Sequence, residues 1–141
     1  MTAFTNFLEL ELLDHLLNDN QYTLPTAKRV WIGLATDTGG PFTEAGGGTE
    51  LSGNGYARVL MDSAGGAGGN KWTVASGQAS NAVAVTFPVA SGNWGTVRYI
   101  GIFDASTAGN LLVYGQLTTD RLINSGDTLE FAIGDLKVTL D

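Results

Sequence analysis

Apolar residues in this chain fall in short bursts divided by glycine, and one stretch breaks that rhythm. Residues 3–17 are rich in Leu and Glu and free of Gly and Pro, which predicts a helix of about three to four turns capped by Thr2 or Thr5. At 100° per residue, Phe4, Phe7, Leu8, Leu10, Leu12, Leu13, Leu16 and Leu17 cover nearly the whole circumference, and Asp14 fills the one clear gap. A single domain offers such a helix one sheet face. Its other side is therefore expected to meet a second subunit or a neighbouring protein, with Phe4, Phe7, Leu8, Leu12, Leu13 and Leu16 as the anchoring residues. Leu8 to Leu12 also alternates apolar with acidic residues as a strand would, and that is the competing reading.

The bursts that follow read as strands. Over 28–36, Val30, Ile32 and Leu34 alternate with Arg29, Trp31 and Gly33. Further strands are expected at 56–61, 81–87, 96–104, 110–117, 127–133 and 136–140. In the last two, Leu129, Phe131 and Ile133 share one face and Leu136, Val138 and Leu140 another, with Gly134-Asp135 between them as a tight hairpin turn. The fold class is thus mainly β: an antiparallel sandwich or jelly roll of about seven strands with one N-terminal helix. Residues 1–20 form the anchoring helix and 21–141 the β-sandwich, in one folding unit.

Two connections stand apart. Residues 37–55 hold seven glycines, and 62–70 read Asp-Ser-Ala-Gly-Gly-Ala-Gly-Gly-Asn. Loops of this length are usually interaction loops or mobile. The echoes Ser52-Gly53-Asn54, Ser76-Gly77-Gln78 and Ser91-Gly92-Asn93 read as repeated turn chemistry, too short and irregular for a solenoid or propeller.

Composition narrows the functions. The 141 residues, with 20 Gly and three Pro, suit one domain with its own core. Fourteen acids against seven bases give a net charge of -7, and no run of Lys or Arg forms a stripe for phosphates, so nucleic acid is not expected as a partner. Cysteine is absent, which removes disulfides, thiolate chemistry and Cys-ligated metals. No run approaches the ~20 apolar residues that span a bilayer, and residues 1–20 lack the basic flank of a secretory signal. We expect no membrane partner and synthesis in a cytoplasm.

Catalytic patterns are not evident, and no catalytic residue, metal ligand set or cofactor is expected. His15, the lone histidine, sits at helix spacing beside Leu12 and Leu16, and no Gly-x-Ser-x-Gly elbow accompanies it. Carboxylate pairs such as Asp104 with Asp120 or Glu44 with Glu50 are scattered through loops and strand ends. Asp37, Glu44, Glu50 and Asp62 flank glycine-rich loops, a setting for a cation, yet no Asp-x-Asp-x-Asp-Gly spacing is present. Gly46-Gly47-Gly48-Thr49 lacks the lysine of a phosphate loop. Among the aromatics, Phe42, Trp72 and Trp94 lie in or beside loops and are candidate contacts for a partner or glycan.

Read in order, several segments resemble small structural proteins of tailed bacteriophages and their proviruses, often labelled phage tail fibre protein. They are Phe7-Leu8-Glu9 with Leu12-Leu13-Asp14-His15, Trp31-Ile32-Gly33-Leu34, Gly53-Asn54-Gly55-Tyr56-Ala57-Arg58-Val59, Ser80-Asn81 and Thr86-Phe87-Pro88. The likeness continues through Gly92-Asn93-Trp94-Gly95-Thr96-Val97, Gly101-Ile102-Phe103-Asp104-Ala105, Leu111-Leu112-Val113-Tyr114-Gly115, Asn124-Ser125-Gly126-Asp127-Thr128 and Val138-Thr139-Leu140-Asp141. It implies a non-enzymatic virion protein with no catalytic residues to transfer. A compact chain without shaft repeats or heptads fits a capsid decoration or cement protein bound to the major capsid protein, assembled from copies of itself as a trimer. The alternatives are a tail or fibre component in contact with host-surface glycan, and a free carbohydrate-binding module.

Overall fold

The computed structural model describes residues 2–18, 29–62 and 71–139. Among them are ten strands and one helix. They are β1 (Thr2–Phe4), α1 (Asn6–Leu17), β2 (Arg29–Thr36), β3 (Val59–Asp62), β4 (Trp72–Ala75), β5 (Gln78–Asn81), β6 (Val85–Thr86), β7 (Gly95–Phe103), β8 (Leu111–Ile123), β9 (Glu130–Phe131) and β10 (Lys137–Thr139). A five-stranded antiparallel sheet runs β1-β8-β7-β2-β3, a three-stranded sheet runs β10-β5-β4, and β6 pairs with β9. The fold is mainly β with a single helix near the N-terminus, and ten strands replace the expected seven.

The five-stranded sheet is apolar on both faces because β2 and β7 alternate residues of two kinds. Ile32 lies opposite Ile102 and Leu34 opposite Ile100, on the face that meets Met61, Val85, Phe87, Trp94, Leu129 and Phe131. This is the main core, closed over by the β6-β9 pair and the segments around it. The other face carries Ala35, Phe103 and Leu111, covered by Phe42. Here Gly33 and Gly101 lie opposite each other. A Cβ on Gly33 would sit 2.7 Å from the Phe103 ring, and one on Gly101 would sit 2.9 Å from it. Both positions stay bare so that the ring can lie flat on the sheet.

Above that ring lies a buried charge. The Arg58 guanidinium stands 3.5 Å from the Phe103 centroid, and its side chain is only 6% exposed. Arg58 donates from Nε to Glu50 Oε1 at 2.8 Å and from Nη2 to Glu50 Oε2 at 2.6 Å. Nη1 donates to the carbonyls of Ala105 at 2.6 Å and Ala108 at 2.8 Å. Tyr56 donates its hydroxyl to Glu50 Oε1 at 2.7 Å and accepts from the Leu34 N–H at 2.9 Å. The edge of β2 beyond its pairing with β3 is thereby completed by a side chain, and Leu51 N–H donates to the Leu34 carbonyl. Tyr56 also stacks on Phe87 and meets Trp94 edge-on, at 6.2 and 5.6 Å between centroids. Burial first, and the Glu50 carboxylate second, push the Tyr56 phenol far above its usual range.

Several expectations change. The first residues do not open the helix: Thr2 to Phe4 pair with Gly115 to Val113 of β8. Thr5 stays extended, donates from Oγ1 to the Leu111 carbonyl at 2.6 Å and accepts from the Leu8 N–H at 3.4 Å, so it is the cap. The helix reading of Leu8 to Leu12 prevails over the strand reading. The run 81–87 divides into β5 and β6, and β8 extends to Ile123. β4 and most of β5 carry no apolar alternation and escape the pattern. Ser76 and Gly77, both at positive φ, join them as a two-residue hairpin. The 133–136 turn is no hairpin between partners, since β9 pairs with β6 and β10 with β5. Asn81 forces the chain across: buried, it donates to the carbonyls of Val83 and Ala132 and accepts from the Leu136 N–H at 2.9 Å. The 37–55 loop is held by its own bonds, including Thr43 N–H to Gly47 O at 3.1 Å and Thr49 N–H to Gly39 O at 3.1 Å. Most of the 62–70 loop lies outside the described residues.

Two outcomes follow from the buried network. Arg58→Ala strands the Glu50 carboxylate and frees two carbonyls, so chemical denaturation is expected to show a loss of about 3 kcal/mol or more. Tyr56 ionises in the unfolded chain near its ordinary pKa of 10.0 but much later when folded. Its contribution is therefore complete below about pH 10 and lost as pH rises above it. The stability gap between wild type and Tyr56→Phe should be constant from pH 7 to 9 and shrink above about 10; a gap that widens there would contradict the burial of the phenol.

Candidate interaction surface

Helix α1 packs lightly on β8 and β1, and none of its residues is buried. Phe7, Leu8, Glu11 and Leu12 are half-buried on the inner side. Leu10, Leu13, Leu16 and Leu17 point outward, 66, 53, 74 and 78% exposed. Leu10, Leu13 and Leu17 form one stripe at i, i+3 and i+7 spacing, with Leu16 beside them. Glu9 flanks the stripe on one side, and on the other lies Asp14, which accepts from Asn18 Nδ2. Of the residues expected to anchor, Leu13 and Leu16 belong to this outer stripe. Phe4 sits half-buried in β1, and Leu8 and Leu12 face the protein. Leu10 and Leu17 belong to the stripe although the sequence did not single them out. A helix apolar on every side does not announce which side its own sheet covers. The asymmetry comes from Thr5, whose bonds to β8 set the helix's rotation.

The aromatic candidates separate in the same way. Phe42 and Trp94 are each 5% exposed and belong to the core, so neither is a surface contact. Phe42 meets Phe103 edge-on at 5.6 Å. Trp94 donates from Nε1 to the Asn54 carbonyl at 2.9 Å, and Asn54 Nδ2 donates to the Asn93 carbonyl at 2.9 Å. Two of the serine-glycine echoes thus meet in space, and Ser125 N–H joins them by donating to Asn93 Oδ1 at 2.9 Å. Loop position in the sequence therefore marked Phe42 and Trp94 as exposed when both fold inward.

Trp72 is half-buried and lines a cavity of about 350 Å³ between the five-stranded and three-stranded sheets. Its Nε1 is buried without a hydrogen-bond partner among the described residues. Ile100, Ile102, Leu117 and Val138 make the cavity apolar, while Arg121, Asp135 and Lys137 stand at its polar side. The cavity opens beside a distorted part of β8, where Tyr99 pairs with Gln116 but Val97 pairs with Arg121. Arg98 bridges that bulge to Asp120 at 2.7 Å, which raises the Arg98 pKa.

Among the described residues the acids do not assemble into a site. Asp104 accepts from Asn110 N–H at 2.7 Å and Nδ2 at 2.8 Å near the start of β8, whereas Asp120 pairs with Arg98 near its end. Glu50 is committed to Arg58. Among the described residues no three His, Asp or Glu side chains gather as metal ligands, and no helix is long and apolar enough to cross a membrane. His15 is exposed on α1.

The contrast between core aromatics and helix leucines is measurable. Trp94→Ala should cost about 3–5 kcal/mol in urea unfolding, whereas Leu16→Ala should stay within about 0.5 kcal/mol; equal costs would show that the helix face is covered within the monomer.

With a β-domain knit by internal side-chain networks and an apolar helix turned outward, the chain has the make-up of a protein that packs against others. A comparison with curated proteins gives no match. A comparison with protein families matches residues 3–139 to the family described as Podophage GP4 fiber I protein gp80, a span that takes in all of the described elements but the first residue of β1. The chain belongs to that family of phage fibre proteins and is a structural protein of the virion.

Proposed function

We propose that the protein is a multi-copy, non-catalytic building block of the phage particle, attached through the outer face of α1. The observation that carries this reading is the group of four exposed leucines on one short helix, an arrangement that exposes far more apolar surface than scattered single residues do. The family's description as a fibre protein favours a tail or fibre component. In that setting a host-surface glycan is a partner, and Trp72 is the aromatic candidate left after Phe42 and Trp94 are assigned to the core. A second reading is a capsid decoration or cement protein seated on the major capsid protein. It is favoured by the lack of any shaft repeat or heptad in the sequence. A trimer of copies suits either position.

Leu16→Asp places a charge in the attached face at a cost of several kcal/mol once that face is desolvated. Purified particles carrying the variant, quantified by mass spectrometry, should contain at least tenfold less of it, while circular dichroism of the isolated protein stays unchanged. Full incorporation of a folded variant would refute attachment through the helix. Gold-labelled antibody on intact particles separates the two positions, marking the tail for a fibre component and the head for a decoration protein.

A further inference from the structure

The leucine stripe of α1 and the cavity between the sheets are both apolar, and they lie on different sides of the same chain. The helix leaves from the side covered by the Phe42 loop: Asn6 N–H donates to the Glu44 carbonyl, and Phe42 packs on Phe103 and Leu111. The cavity lies on the opposite face, against Ile100 and Ile102. One copy cannot bring the two together. At about 350 Å³ the cavity is large enough to take bulky apolar side chains, and none of the described residues fills it.

Charge of opposite sign stands beside the two apolar surfaces. The stripe is flanked by Glu9 and Asp14, and the helix holds no Lys or Arg. The cavity side carries Arg121 and Lys137. In a chain with seven bases in all, Arg58 is committed to Glu50 and Arg98 to Asp120, whereas Arg121 and Lys137 enter no ion pair among the described residues. Asp135 stands on the same rim and accepts from the Ala132 N–H at 2.9 Å, which leaves two cations against one acid there. A helix-to-helix contact between copies would instead set Glu9 and Asp14 of each against acids of the same kind.

We infer that Leu10, Leu13 and Leu17 of one copy fill the cavity between β8 and β10 of a second copy, with Glu9 and Asp14 turned toward Arg121 and Lys137. The contact is head-to-tail, so each copy offers one helix and one cavity, and repetition closes a ring or extends a row. The inference rests on the reading of the protein as a multi-copy structural element and names what covers its helix.

The experiment uses the purified full chain. Leu13→Asp with Leu17→Asp disables the helix; Arg121→Glu with Lys137→Glu disables the cavity rim at exposed positions. In sedimentation the wild type should self-associate, and each double variant should associate at least tenfold more weakly. An equimolar mixture of the two variants retains one good helix and one good cavity, so it should give a 1:1 dimer and nothing larger. The native chain has no cysteine, which permits a second measurement independent of those variants. Leu13→Cys combined with Thr118→Cys should cross-link copies under mild oxidation, and Leu13→Cys alone should not. A monomeric wild type, a rim variant that assembles normally, a mixture that stays monomeric, or Leu13→Cys protein that cross-links to itself would each overturn the inference. Presence of the wild-type protein in particles is read separately by mass spectrometry. Particles that contain it although the contact fails leave the virion role standing, and a head-to-tail assembly absent from particles refutes that role alone.

Discussion

A guanidinium held out of water governs this structure. Arg58 is buried, and a buried charge persists only if its hydrogen bonds are filled by well-placed acceptors. Three of its nitrogens find Glu50 and the carbonyls of Ala105 and Ala108, and its flat face lies on Phe103. Each partner comes from a different part of the chain. Glu50 belongs to the long glycine-rich loop, Ala105 and Ala108 to the turn from β7 to β8, and Phe103 to the end of β7. Satisfying one residue therefore fixes two loops and a strand end together. Tyr56 extends the same network to the main-chain edge of β2, where no strand is paired. The glycine-rich loop is ordered for this reason: its carboxylate cannot leave without stranding a cation.

The interior and the helix then stand in opposite conditions. Inside, Thr5, Asn81 and Asp104 each have partners for their side-chain polar atoms, and the aromatics Tyr56, Phe87, Trp94 and Phe131 interlock. Outside, α1 exposes four leucines and no residue of it is fully buried. Intrinsic propensity and the Thr5 cap hold a 12-residue helix only weakly without packing on its apolar sides. The sheets are thus held by contacts among themselves, whereas the helix packs on them only lightly.

How much of this is legible in sequence depends on the kind of signal. Period-two alternation placed β2 and β7 within a residue or so, because both are central strands flanked by apolar neighbours. β4 and β5 read Trp-Thr-Val-Ala and Gln-Ala-Ser-Asn, and their pairing rests on the Ser76-Gly77 turn and on Asn81 rather than on burial. β1 was hidden inside a helix-forming segment, since a three-residue strand held by pairing with β8 leaves no period to detect. The outward side of α1 was equally hidden. Hydrophobicity says that a side chain prefers to leave water and not which of two surfaces will take it.

The segments that carry the family likeness now have a physical meaning. In Trp31-Ile32-Gly33-Leu34, Gly33 makes room for Phe103 and the Glu50 carboxylate. In Gly55-Tyr56-Ala57-Arg58-Val59, Tyr56 and Arg58 alternate inward to the same carboxylate. In Gly101-Ile102-Phe103-Asp104, the glycine seats the ring, the phenylalanine receives the guanidinium, and Asp104 shapes the turn that Arg58 grips. Trp94 of the Asn93-Trp94-Gly95 segment closes over Tyr56 and bonds the Asn54 carbonyl. Four separate stretches of sequence converge on one buried ion pair and its tyrosine, and the residues inside it have no accessible surface chemistry to contribute. What these segments supply is therefore a frame. The outer leucines of α1 and the rim of the β8-β10 cavity take no part in that buried network, so the frame holds its shape whatever those surfaces meet.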